Sequence, residues 1–208
     1  NDHSEAKRLT AEYLKEDKIT LFEALIESNQ KIIRVDILKK EGNHYELIEV
    51  KSKSYNSKED SKKQKKELSD YIYDLAYQYH VLHEYLSEQN ESFSITPYLF
   101  LPDKSKQSEI EGLNSMFRLR EEDFSDNNFR AIAVDVDENY KELIQSEDLM
   151  VMVNLEKEVK ELQDEVEQMS AQFLNSMNPV LVNHQAKLTK KCFSCEYTVA
   201  NEQYEDSG

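Results

Sequence analysis

Between residues 19 and 52 the apolar positions fall in three short runs. Ile19 to Ile26, Ile32 to Lys39 and Tyr45 to Ser52 are rich in β-branched and aliphatic residues. Polar segments at Glu27 to Lys31 and Lys40 to His44 separate them, so the pattern predicts three strands. Residues 4–16, rich in Glu, Lys, Ala and Leu, predict a short helix before them. From Lys58 to Leu86 the period changes. Leu68, Ile72, Leu75, Tyr79, Leu82 and Leu86 recur at spacings of three and four, which lays one apolar stripe along a helix.

Phe93 to Leu101 predicts a further strand, irregular or at a sheet edge because it contains Pro97 and is closed by Pro102. Residues 103–128 are polar and poorly periodic, and Phe129 to Val136 alternates like a strand. Leu155, Val159, Leu162, Val166, Met169 and Phe173 mark a second long helix ending before Pro179. Its stripe spans about three heptads, near the lower limit for a coiled coil, so packing onto the chain's own sheet is the favoured reading. The order helix, three strands, helix, two strands, helix indicates an α+β or α/β protein with a mixed sheet.

The middle of the three-strand region carries the chemistry. Gly42-Asn43 suits a two-residue hairpin loop. With that turn as centre, facing residues have numbers summing to 85. Val35 then faces Val50 and Ile37 faces Ile48, giving an apolar face expected to meet the core. On the other face Leu38 meets Leu47, Asp36 meets Glu49 and Arg34 meets Lys51. Two carboxylates set opposite each other between apolar neighbours repel, unless a cation lies between them. A hard divalent ion such as Mg²⁺, which keeps several of its own waters, suits such a pair. Lys51, two residues past Glu49, would stand beside it to hold a water or meet charge on a phosphate. The plainer reading is an exposed sheet face with Asp36 paired to Arg34 or Lys51.

Charge at first argues against a polyanionic partner. The 208 residues carry Lys+Arg 26 against Asp+Glu 42, a net charge of −16, so the overall field repels nucleic acid. Locally the balance reverses. From Lys51 to Lys66 there are seven lysines (51, 53, 58, 62, 63, 65 and 66) against Glu59 and Asp60. This run could track a bound strand, with tyrosines 71, 73, 77, 79 and 85 of the next helix stacking on bases. Alternatively it is a mobile, solvated loop and the tyrosines pack the core edge. There is no apolar run of membrane-spanning length and no signal-peptide pattern, and Cys192 and Cys195 are the only cysteines. These features place the protein in a reducing cytoplasm, away from membranes.

Arg34-Val35-Asp36-Ile37-Leu38 followed by Leu47-Ile48-Glu49-Val50-Lys51-Ser52 resembles the Asp…Glu-x-Lys signature of the PD-(D/E)XK nuclease superfamily. Within it the likeness is to the RecB-like branch that includes CRISPR-associated iron–sulfur exonucleases. The resemblance covers residues 19–86 and, more loosely, the cysteine tail. It implies an α/β, restriction-endonuclease-like fold, with a mixed sheet flanked by helices, a long C-terminal helix and a cysteine-bearing tail. It also implies that Asp36 and Glu49, with the backbone carbonyl of Val50, ligate Mg²⁺ or Mn²⁺, and that Lys51 assists the attacking water. Gln78 fits the glutamine that often follows on the next helix, against the alternative of a solvent-facing amide. A further His or Glu ligand usually comes from a preceding helix, where this chain offers His3 and Glu5 without a basis for choosing. The Cys192-x-x-Cys195 pair would supply two ligands of an iron–sulfur cluster, the others lying outside this sequence. The alternative is a pair of free thiols.

The expected organisation is a nuclease-like domain over residues 1–180 and a tail over 181–208, in a chain that begins at Asn1 and so is expected to belong to a longer protein. The expected function is Mg²⁺- or Mn²⁺-dependent hydrolysis of DNA phosphodiester bonds, with single strands or strand ends as substrate. A partner protein or further domains would face the acidic remainder. Two alternatives stay open: a nuclease-like module that binds nucleic acid or a partner without cutting, and a metal-stabilised protein-interaction module.

Overall fold

A computed structural model describes residues 3–59, 61–89, 92–123, 130–177 and 190. The chain divides into two compact units, residues 1–168 and 169–208. The first is α/β. Helix α1 (His3–Tyr13) precedes strands β1 (Lys18–Ser28), β2 (Lys31–Glu41) and β3 (His44–Val50). Helices α2 (Ser61–Glu67) and α3 (Ser69–Ser87) then lead to β4 (Ser94–Pro102). Beyond these come β5 (Phe117–Asp123), β6 (Arg130–Val136), α4 (Glu138–Ser146), β7 (Met150–Asn154), α5 (Glu156–Glu161) and α6 (Gln163–Ser176), the last crossing into the second unit.

Five strands form one mixed sheet in the order β1-β2-β3-β4-β7. The first three run antiparallel, β4 is parallel to β3, and β7 is antiparallel to β4. A parallel neighbour needs a crossover, and α2–α3 supplies it. All six residues of the α3 stripe, Leu68 through Leu86, are buried, and they pack with Leu38, Leu47, Leu99, Leu101 and Val159 into one core.

The hairpin register is the expected one: Glu41 faces His44, Lys39 faces Glu46, Leu38 faces Leu47 and Ile37 faces Ile48. Gly42 takes the left-handed φ of 58° that the turn needs. The expected core face is corrected, however. Leu38, Leu47 and Glu49 lie on the side covered by α3; of the residues expected in the core, Val35 and Ile48 are buried, while Ile37 is half-buried and Val50 is 39% exposed. Both faces carry aliphatic residues, and α3 decides between them. The ladder also ends at Ile37–Ile48, so Arg34 meets Leu25 on β1 and not Lys51.

A break in alternation explains why the ladder stops. In β2 the buried residues are Lys31, Ile33 and Val35, then Leu38, so the phase slips at Asp36–Ile37. Across from it on β1, Glu23 has a φ of 55° and the buried set shifts to Ala24, Ile26 and Ser28. A non-glycine residue in that region marks a local distortion, and here it turns β2 away from the end of β3.

Several other expectations change. β4 is an interior strand, and Pro97 is accommodated because the β7 ladder begins only at Tyr98. β5, in the polar stretch, and α4 and β7 beyond it were not expected, and β6 pairs with β5 in a separate two-stranded sheet. The two long helices are each broken once, at Leu68 and Leu162. Leu155, Val159 and Val166 belong to the core of the first unit, so this part of the stripe packs on its own domain. No helix among the described residues is long and apolar enough to cross a membrane.

Candidate active site at the open end of the hairpin

The end of β3 away from the turn gathers a compact polar cluster under α3. Glu49 continues the Tyr45, Leu47 face of the strand and is therefore buried, only 6% exposed. Both its oxygens are occupied. Oε1 accepts from the Lys51 ammonium at 2.6 Å, and Oε2 accepts from Gln78 Nε2 at 2.7 Å. Gln78 is itself buried, and its Oε1 has no hydrogen-bond partner. The solvent-facing alternative for Gln78 is thereby removed.

Asp36 reaches the same place by way of the distorted strand. The amide of Val50, which a continued ladder would have paired with β2 backbone, donates to Asp36 Oδ2 at 2.7 Å. The two carboxylates thus share one site, close enough for the Asp36 charge to act on Glu49. Burial pushes the Glu49 carboxyl above its ordinary range, the Lys51 and Gln78 hydrogen bonds pull it back down, and the Asp36 charge adds to the rise.

Lys51 lies just past the end of β3 and folds back. Its Nζ also donates to Asp74 Oδ2 at 2.9 Å, and it stands 5.5 Å from the centre of the Tyr71 ring. Burial opposes its charge, but the hydrogen bonds to Glu49 and Asp74 prevail and hold the ammonium well above the usual lysine range. The Glu49–Lys51 contact thus favours charge strongly at the lysine end and only partly offsets desolvation at the carboxylate end. The lysine end governs the state of the pair, because two carboxylates face it. Both hydrogen bonds of Lys51 thus favour its charged form. Three carboxylates (Asp36, Glu49 and Asp74) against this one ammonium leave the cluster formally anionic.

Asp74 was the residue missed. It sits one helical turn before Gln78, and that i, i+4 spacing puts both on one face of α3. The spacing was the available signal. Of the expected helix ligands, Glu5 is ion-paired with Arg8 on the exposed surface of α1 and His3 is exposed. Among the described residues no group of three or more His, Cys, Asp or Glu gathers to hold a metal. Cys192 and Cys195 lie outside the described residues.

The lysine run is pinned to the domain. Asn56 and Gln64 exchange hydrogen bonds of 2.7 and 2.6 Å, and buried Asp103 accepts from the amides of Ser57 and Ser105. Burial alone would raise the Asp103 carboxyl, but the Ser57 and Ser105 hydrogen bonds hold it well below the carboxylate range. Lys53 donates to the Glu67 carbonyl and Lys65 pairs with Glu158, while Lys63 and Lys66 are exposed. Tyr71, Tyr73, Tyr77, Tyr79 and Tyr85 all pack in or against the core. A cavity of about 520 Å³ lies at the opposite, turn end of the hairpin, lined by Lys40, Asn43, Tyr45 and Tyr85 among others, and has no part in this cluster. No known protein family, curated protein or solved structure matches the chain.

Proposed function

We propose that this chain is a Mg²⁺- or Mn²⁺-dependent nuclease that hydrolyses DNA phosphodiester bonds on a restriction-endonuclease-like domain. The observation that carries the reading is the convergence of Asp36 and Glu49 with Lys51 and Gln78 at the open end of β2 and β3. Resemblance to the PD-(D/E)XK signature supports it, as does the succession of α1, three antiparallel strands, α3 and a parallel strand.

The residues fit such an ion. Mg²⁺ commonly takes one or two carboxylates and keeps waters or substrate oxygens for its other positions. Asp36 and Glu49 with the Val50 carbonyl are a donor set of that kind, and the anionic excess of the cluster favours a divalent cation. The unpartnered Gln78 Oε1 adds an acceptor for a water held nearby. When bound, the ion would supply Lewis-acid polarisation of the phosphoryl group and activation of water.

The protein's own groups then have distinct tasks. Gln78 fixes the orientation of Glu49 from the helix side. Lys51, its charge favoured by neighbouring carboxylates, offsets negative charge developing on the phosphate and orients the attacking water. Exposed Lys63 and Lys66 at the entry to α3 give a local attraction for the strand against the net charge of −16. An iron–sulfur cluster at Cys192 and Cys195 belongs to the same proposal, and iron and sulfide analysis tests it: neither at stoichiometric level would remove it.

The reading is tested by incubating labelled single- and double-stranded DNA with Mg²⁺ or Mn²⁺. The parent should cleave, and Glu49→Ala and Lys51→Ala should each lose at least about a hundredfold in rate. Equal rates in all three proteins, or no cleavage by the parent, would defeat the proposal and leave a binding module in its place.

A further inference from the structure

Each oxygen of Glu49 accepts one hydrogen bond and keeps a further lone pair, so a cation can join this carboxylate, but it would crowd the donor on the oxygen it takes and press that donor to yield. Gln78 is poorly placed to do so. It is buried in the middle of α3, its Nε2 has Glu49 as partner at 2.7 Å, and its other polar atom is already unpartnered. Withdrawing it would strand a second buried polar atom. Lys51 differs, because its ammonium touches a second carboxylate, Asp74, at 2.9 Å. Asp74 is 47% exposed, against 8% for Glu49, so it forms the solvent side of the cluster.

We propose that Asp74 is a positioning residue that receives the Lys51 ammonium when a divalent cation takes its place on Glu49 Oε1. The inference rests on the nuclease reading above and deepens it by naming what regulates metal occupancy. Without Asp74 the ammonium has only Glu49 to neutralise it, so metal and lysine compete directly for one oxygen. With Asp74 present the lysine moves by a single hydrogen bond, keeps its charge compensated, and remains beside the site where phosphate charge would develop. The Tyr71 ring, its centre 5.5 Å from the ammonium, stands beside it.

The test is Mn²⁺ binding, followed through the electron paramagnetic resonance signal of the free ion, with no DNA present. Asp74→Asn should weaken Mn²⁺ binding about ten- to a hundredfold, the range expected when a group that orients a ligand is lost. Asp74→Glu, which keeps the carboxylate, should recover most of it. Lys51→Met removes the competitor and should bind at least as tightly as the parent. In that background Asp74→Asn should change binding less than about threefold, because no lysine remains to be received. Circular dichroism checks that each variant is folded. Parent-like binding by Asp74→Asn overturns the inference while leaving the nuclease reading intact. An equal loss with and without Lys51 also overturns it, and would make Asp74 a direct ligand. A parent that takes no Mn²⁺ at millimolar concentration would instead remove the nuclease reading and this inference together.

Discussion

Lys51→Met probes the electrostatics of the cluster, because methionine keeps the unbranched stem and removes the ammonium with its charge and donors. In the metal-free protein the substitution leaves Glu49 and Asp36 sharing a site with Gln78 and a backbone amide as the remaining donors. Breaking one side of a fully buried ion pair costs about 3–5 kcal/mol, and an exposed pair is worth about 0–1 kcal/mol. The two contacts of Lys51 divide between these limits. The Glu49 side chain is 8% exposed, whereas Asp74 is 47% exposed and Lys51 itself 23%. The Glu49 contact therefore dominates, and the expected loss is about 2–3 kcal/mol at alkaline pH, where both carboxylates are ionised. For a chain of this size that lowers the melting temperature by roughly 4–12 °C. Adding Glu49→Gln to Lys51→Met removes the stranded charge and should recover most of the loss. Mg²⁺ should raise the melting temperature of Lys51→Met more than that of the parent, since a cation then replaces the missing ammonium. Urea denaturation and thermal circular dichroism, with and without Mg²⁺, measure all of these. The reasoning is refuted if Lys51→Met is within about 0.5 kcal/mol of the parent without metal, the range of an ordinary surface change, or if Glu49→Gln fails to rescue it.

Other substitutions separate stability from function. Gln78→Leu loses a hydrogen bond to a charged group, about 1.5–3 kcal/mol, but also removes an unpartnered buried oxygen that costs about 1–3 kcal/mol. Its unfolding free energy should stay within about 1 kcal/mol of the parent by urea titration while cleavage falls roughly ten- to a hundredfold. Burial, then the nearby Lys31 ammonium at 3.0 Å, holds His80 below its ordinary value of 6.5. The unfolded chain takes up a proton near 6.5 while the folded chain resists, so stability should fall as pH drops below 6.5, and His80→Gln should flatten that slope in denaturation curves across pH. Gly42→Ala meets no neighbouring atom within 4 Å but forces a side chain onto a φ of 58°, so it should cost about 1 kcal/mol by denaturation through strain alone.

Much of the site could be read from the chain because one turn fixes a register. Gly42-Asn43 sets the pairing, and every rung from Glu41–His44 to Ile37–Ile48 follows from it. What lay beyond the last rung could not be read this way. The register already sets Asp36 toward Glu49, but the ladder stops before that rung and Asp36 instead accepts from the Val50 amide. The positive φ of Glu23 beside this break, at a residue that is not glycine, leaves no mark in a hydrophobic pattern. The buried face was misread for a related reason. Val35 and Ile48 are buried as expected, but Ile37 and Val50 look as apolar as Leu38 and Leu47, and only the position of α3 distinguishes these. The helix breaks at Leu68 and Leu162 were hidden because each residue packs inward and keeps the spacing intact. β7 is a five-residue apolar run directly before a helical stripe, and β5 alternates charged residues such as Arg118 and Arg120, so neither stood out as a strand. Asp74 shares a helix face with Gln78 by its spacing, but only the folded position of Lys51 gives that spacing a meaning.

A divalent cation between Asp36 and Glu49 is the claim on which catalysis, the task of Lys51 and the place of Asp74 all depend. Anomalous scattering from crystals of the protein soaked in Mn²⁺ tests it most directly. The account predicts a peak at coordinating distance from both carboxylates, with the Lys51 ammonium on Asp74 and off Glu49. A peak elsewhere, or none while Lys51 still bridges Glu49 and Asp74, would contradict it.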